Sequence, residues 1–114
     1  MVVKLHRYRY LKLEIYGNEL SLKLLIQTLR KKYSLVFGEI ALAKSALHVL
    51  QLTSNNFIIR VTHLHRNQIE AVVQLIGDNT YIPVIRRVSG TIKGITKKTE
   101  EQNIIMNIFG EEEE

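Results

Sequence analysis

Two stretches of the chain concentrate the residues that could do chemistry. The first is Arg7-Tyr8-Arg9-Tyr10-Leu11-Lys12, where cations and tyrosines interleave. The second starts at Arg86-Arg87 and runs through Val88-Ser89-Gly90-Thr91-Ile92 to Lys93, with Lys97 and Lys98 beyond. Guanidinium and ammonium groups neutralise phosphates and release the counterions condensed on nucleic acid. Tyrosine rings stack on unpaired bases, at about 1–3 kcal/mol per base. The bland alternative is that alternating strands always turn polar residues outward, and that tyrosines on a sheet pack under a terminal helix. The pattern points to RNA without requiring it.

Other chemistry finds little support. His63 and His65 flank Leu64, with His48 upstream, but no carboxylate keeps a fixed spacing to them and there is no HExxH pattern. Two positions apart at a helix start, the pair does not share one face, and surface histidines are the simplest reading. Before the terminal run the acids are Glu14, Glu19, Glu39, Glu70, Asp78, Glu100 and Glu101. The only close pair, Glu100-Glu101, suits the first turn of a helix. Nucleotide-binding glycine patterns are absent. Zero cysteines exclude disulfides, thiol catalysis and cysteine-based zinc sites. The residues describe a binding component with no chemistry and no cofactor of its own.

Composition supports a polyanion partner. The net charge of +5 includes Glu111 to Glu114; residues 1–110 hold 16 cations against 7 anions, a net +9. At 114 residues and 46% apolar content the chain suits one domain with a real core. No apolar run is long enough to span a bilayer, and the N-terminal MVVKLHRYRY carries charge where a signal peptide needs an apolar stretch. These features lead us to expect an intracellular, cytoplasmic protein without a membrane partner.

The elements that must position these residues follow from periodicity. Arg7 to Tyr16 alternates, with Leu11, Leu13 and Ile15 on one side and Tyr8, Tyr10, Lys12, Glu14 and Tyr16 on the other. Gly17-Asn18 breaks this strand. A helix is expected from about Leu20 to Val36, stopped by Gly38, with Arg30, Lys31 and Lys32 in its last turns. Ala41 to Ala46 is ambiguous and could include a helical turn. Leu47 to Leu52 and Phe57 to Val61 read as a hairpin about Ser54-Asn55-Asn56. Thr62 is a candidate cap for a second helix, about His63 to Ile76. A last strand is expected from about Ile82 to Ile92.

The order β-α-β-β-α-β predicts an α+β, ferredoxin-like domain over residues 1–98, a four-stranded antiparallel sheet with two helices on one face. The first and third strands are then central. Pro83, which donates no hydrogen bond, falls on an edge strand as it should. Thr99 to Phe109 reads as a short helix within residues 99–110, and residues 111–114 as a solvated acidic tail. On the last strand the alternation sends Ile85, Arg87, Ser89, Thr91 and Lys93 to the open face. Val84, Val88, Gly90 and Ile92 go to the core, with Arg86 a charged exception among them.

Several short runs also resemble one family. Arg9-Tyr10 opening the strand RYLKLEI, Phe37-Gly38-Glu39 followed by Ala43-Lys44, Ile58-Ile59-Arg60, and Val88-Ser89-Gly90-Thr91-Ile92 with Lys93 after it are similar to the ribonuclease P protein component 2 family. The likeness runs from about Arg7 to Lys98. It departs where Ile40-Ala41 replace an aromatic and a second glycine, and where Val61-Thr62-His63 replace Cys-Ser-Arg. The long insertion of eukaryotic relatives is absent, so the chain looks archaeal.

The resemblance implies a non-catalytic subunit of ribonuclease P, the enzyme that removes the 5′ leader of precursor tRNA. The chemistry, and the magnesium it uses, would belong to the RNA subunit. The implied partners are that RNA, protein component 3 in a heterotetramer, and precursor tRNA indirectly. On this reading the RNA-binding candidates are Arg7, Arg9, Tyr10, Lys12, Lys44, Arg60, Arg86, Arg87, Lys93, Lys97 and Lys98. The protein-interface candidates are Tyr8, Tyr16, Ile104, Ile105, Ile108 and Phe109. Two alternatives stay open: a ferredoxin-like regulatory module for a small metabolite, and a protein-bridging subunit with little RNA contact.

Overall fold

The computed structural model describes residues 7–91. Within them the elements are β1 (Tyr8–Gly17), α1 (Leu22–Phe37), α2 (Glu39–Ser45), β2 (His48–Thr53), β3 (Asn56–Thr62), a 3-10 turn (His63–His65), α3 (Arg66–Ile76) and β4 (Tyr81–Ser89). The sheet is antiparallel with order β2-β3-β1-β4. The α+β, ferredoxin-like expectation holds: β1 and β3 are central, and Pro83 sits on edge strand β4 opposite Ile15. The expected helix over residues 99–110 and tail over 111–114 lie outside the described residues.

The strand alternation builds the core. Leu11, Leu13 and Ile15 of β1 and Phe57, Ile59 and Val61 of β3 turn to one face, where α1 and α3 supply Leu25, Leu29, Tyr33, Ile69, Val72 and Val73. All are essentially inaccessible to solvent. Burial of such side chains contributes about 1.5–3 kcal/mol each.

Local signals set the boundaries. Helix α1 begins two residues later than the apolar periodicity suggests, because Ser21 is its cap: the hydroxyl accepts the Leu24 N–H at 3.1 Å. Leu20 lies before the cap and is buried by packing instead. The helix runs on to Phe37 and ends at Gly38, whose φ of 96° is left-handed and whose N–H returns to the Ser34 carbonyl. Arg30, Lys31 and Lys32 therefore stand before the last turn and do not complement the helix end. The ambiguous segment after Gly38 is α2, and Ala46 at φ 52° turns it into β2.

Thr62 does not cap a backbone N–H. Its hydroxyl lies 2.7 Å from His65 Nδ1, and the helix opens with the 3-10 turn His63–His65. The turn before β4 is held by Asp78, which accepts from the Thr80 N–H and hydroxyl, both at 2.7 Å. Those hydrogen bonds from Thr80 hold its carboxyl below the usual range.

Two stability predictions arise here. Gly17 has φ 102°, and a Cβ on it would sit 2.6 Å from the Thr80 carbonyl oxygen. Gly17→Ala is expected to cost about 2 kcal/mol or more, from strain plus collision with backbone; chemical denaturation measures it. The second concerns Tyr33, whose buried hydroxyl donates to Gln68 Oε1 at 2.6 Å and ties α1 to α3. Burial pushes its pKa up to about 12. The folded state thus keeps a proton that the unfolded chain releases near pH 10, so this contribution is complete below pH 10 and fades between pH 10 and 12. Tyr33→Phe is expected to lower stability at neutral pH through loss of the hydrogen bond. It should also flatten the decline between pH 10 and 12, as read from denaturation midpoints against the parent.

Candidate nucleic-acid interface

The sheet face turned away from the helices carries four of the described cations, Lys12, Arg60, Arg86 and Arg87, and strand register arranges its residues in rows. His48, Arg60, Tyr10 and Ser89 lie side by side across β2, β3, β1 and β4. The next row is Leu50, Ile58, Lys12 and Arg87, and below it are Asn56, Glu14 and Val84. Tyr16 and Ile82 close the far end.

A bulge decides what β4 contributes. Register with β1 shifts between Lys12 and Leu13, so Lys12 faces Arg87 while Leu13 faces Ile85, and Arg86 is the extra residue. The strict alternation expected from the sequence therefore fails below Arg87. Ile85 packs into the main core and is not on the open face, whereas Val84 pairs with Glu14 on the open face. The charged exception disappears too. Arg86 is exposed, its Nε is 3.0 Å from Glu14 Oε1, and its guanidinium lies 5.8 Å from the Tyr16 ring centre. Both partners belong to the open face, so the bulge moves a third cation towards Lys12 and Arg87. Like charges directly opposite each other, as at Lys12 and Arg87, destabilise a strand pair.

The middle of the face is apolar. Tyr10, Leu50 and Ile58 form a second buried cluster, with Tyr8 and Leu52 against it. Tyr10 is 1% exposed, so its ring offers no face to an unpaired base. Its central position packs it among Leu50 and Ile58. Tyr8, expected at a protein interface, has the Arg60 guanidinium over its ring at 4.4 Å. Tyr16 is 43% exposed, and its hydroxyl donates to Glu14.

The remaining candidates separate. Arg9 pairs with Val61 and so belongs to the helix-side alternation at the start of β1, with Nη1 donating to the Tyr8 carbonyl at 3.1 Å. Strand β4 ends at Ser89, so Gly90 is not a core-facing strand residue. What approaches it is the Arg9 side chain: a Cβ on Gly90 would lie 3.2 Å from Arg9 Nη1. Arg7 and Lys44 line a separate cleft with His63 and His65. Lys93, Lys97, Lys98, Ile104, Ile105, Ile108 and Phe109 lie outside the described residues. His48 is not among the residues that the sequence assigns to the interface, yet register sets it beside Arg60; its place at the start of a strand is the signal that could have found it. Among the described residues no three His, Asp or Glu side chains converge as a metal site would require, and no helix is long and apolar enough to cross a membrane.

Residues 9–100 match the Rpp14/Pop5 family of ribonuclease P proteins. The chain belongs to the Rpp14/Pop5 family. This covers most of its length and agrees with the resemblance carried by the short runs. Among solved structures, a chain of the cryo-EM structure of yeast ribonuclease MRP is similar over 97% of this chain and 95% of that one, with a TM-score of 0.71 and 14% identity. At that identity the likeness is one of fold. No curated protein matches the sequence. In this Rpp14/Pop5 chain, Phe37-Gly38-Glu39 is the α1–α2 corner, Ile58-Ile59-Arg60 the middle of β3, and Val88-Ser89 the end of β4.

Proposed function

We propose that this chain is a non-catalytic protein subunit of ribonuclease P that binds and stabilises the catalytic RNA during removal of the 5′ leader from precursor tRNA. The observation that carries the reading is the grouping of Lys12, Arg60, Arg86 and Arg87 on one sheet face of an Rpp14/Pop5 chain. Four cations so placed would follow a phosphate backbone and screen repulsion between RNA segments. Arg7, Arg9, Lys44, Lys93, Lys97 and Lys98 are the further RNA-contact candidates of this reading. Hydrolysis, with its magnesium, would be the RNA's. The proposed protein partner is component 3 in a heterotetramer, within an archaeal cytoplasm.

A bridging role alongside this one is favoured by one observation. Tyr16 and Ile82, paired across β1 and β4, are 43% and 61% exposed and would give a partner an apolar foothold. Reconstitution tests the main reading. Precursor tRNA cleavage is measured with the RNA and component 3, with and without this chain, at limiting magnesium. The reading expects a marked gain in rate on addition. No gain, with the chain folded, would refute it.

A further inference from the structure

Away from the sheet face, a cleft of about 380 Å³ opens between the end of α2 and the junction of β3 with the 3-10 turn. Its polar wall is Arg7, Lys44, His63 and His65; Thr62 is the buried residue of the lining, and Ala43, Ala46 and Leu64 are exposed at its edge. No carboxylate is among the lining residues. The nearest acid on α3, Glu70, holds Arg66 at 2.7 Å and is not in the wall.

The cleft is a built feature. Two small alanines line it, and Ala46 adopts φ 52° to turn the chain out of α2. The His63 N–H donates to the Arg7 carbonyl at 2.7 Å, and His63 Nδ1 is 3.3 Å from the same oxygen. These interactions hold the start of β1 against the turn. His65 is fixed by the Thr62 hydroxyl at 2.7 Å. Burial, and then nearby Lys44, lower its pKa. Leu64 is 78% exposed at the rim, an apolar ledge beside a cationic wall.

Cations on one side, with two alanines and an exposed leucine along the edge, suit a group with one anionic and one flat apolar part. A single nucleotide has both. Register places Thr62 beside Tyr8, in the row next to His48, Arg60 and Tyr10. The cleft therefore adjoins one end of the cationic face, where a strand of RNA crossing that face would leave it.

We propose that this cleft receives one unpaired nucleotide of the RNA, its phosphate between Arg7 and Lys44 and its base over Leu64, Ala43 and Ala46. The inference rests on the RNA-subunit reading and adds a site to it. His63 and His65, read from the sequence as surface histidines, become walls of that site.

The test uses the full chain labelled for NMR, titrated separately with nucleoside 5′-monophosphates, inorganic phosphate and uncharged nucleosides. Saturable shifts confined to Leu64, His63 and His65, tighter for the monophosphates than for phosphate, are expected. The double substitution Arg7→Gln, Lys44→Gln should weaken monophosphate binding by about tenfold or more. Neutralising Lys23 and Lys31, exposed on α1, should leave it unchanged. Equal affinity for phosphate and monophosphate, shifts located on the sheet face, or indifference to the double substitution would each overturn the site. Binding of the intact RNA is measured in parallel. If the chain binds RNA but the cleft binds no nucleotide, only the cleft fails; if the chain binds no RNA, the underlying reading fails.

Discussion

Reversing Lys12, Arg86 and Arg87 to glutamate is expected to weaken binding to the ribonuclease P RNA by about 100-fold or more in roughly 0.1 M salt. The three side chains belong to one face: Lys12 and Arg87 are direct partners across β1 and β4, and the bulge swings Arg86 to the same side. Each reversal removes an attraction to phosphate and adds a repulsion, so three act together. The fold should survive. Arg86 is about half exposed and its pair with Glu14 is open to solvent, a class of interaction worth about 0–1 kcal/mol. Filter binding gives the affinity and thermal unfolding checks the fold. A variant that unfolds like the parent and binds RNA as tightly would remove this face from the interface.

Phe57→Ala should have the largest effect on stability. Phe57 is wholly buried on central strand β3, opposite Leu13, with the α1–α3 layer against it. Truncation forfeits the burial of a phenyl ring and leaves a cavity that neighbours on two strands cannot fill, at about 3–5 kcal/mol. Against a total of about 5–15 kcal/mol for a domain, this is a large share. Urea denaturation should show a midpoint far below the parent's, with an unchanged slope. A loss under about 1 kcal/mol would mean that the core on this face relaxes easily.

Much of this was legible in the sequence, and the failures have physical causes. Leu11, Leu13 and Ile15 announced the helix-side face by strict alternation, and Pro83 marked the edge strand. The bulge at Arg86 was invisible to alternation, because one extra residue reverses the assignment of every position beyond it. Ile85 and Val84 exchanged faces for that reason, and the apparent burial of Arg86 dissolved with them. Tyr10 alternates as an exposed residue does, but alternation names a face and not the density of its neighbours; Leu50 and Ile58 enclose it. Gly90 lay beyond the end of β4 rather than on its core side, with the Arg9 side chain as its near neighbour. The shared cleft of Arg7, Lys44, His63 and His65 could not be read from spacing, since three separate segments bring them together.

The salt dependence of RNA binding tests the central claim most directly. The affinity of the full chain for the ribonuclease P RNA is measured across a range of potassium chloride concentrations, for the parent and for the Lys12, Arg86, Arg87 reversal. A basic sheet face that holds phosphates predicts a linear fall of log affinity with log salt. It also predicts a slope shallower in the variant by about 2–3 units, roughly one for each phosphate no longer neutralised. A parent slope near zero, or equal slopes in the two proteins, would contradict it.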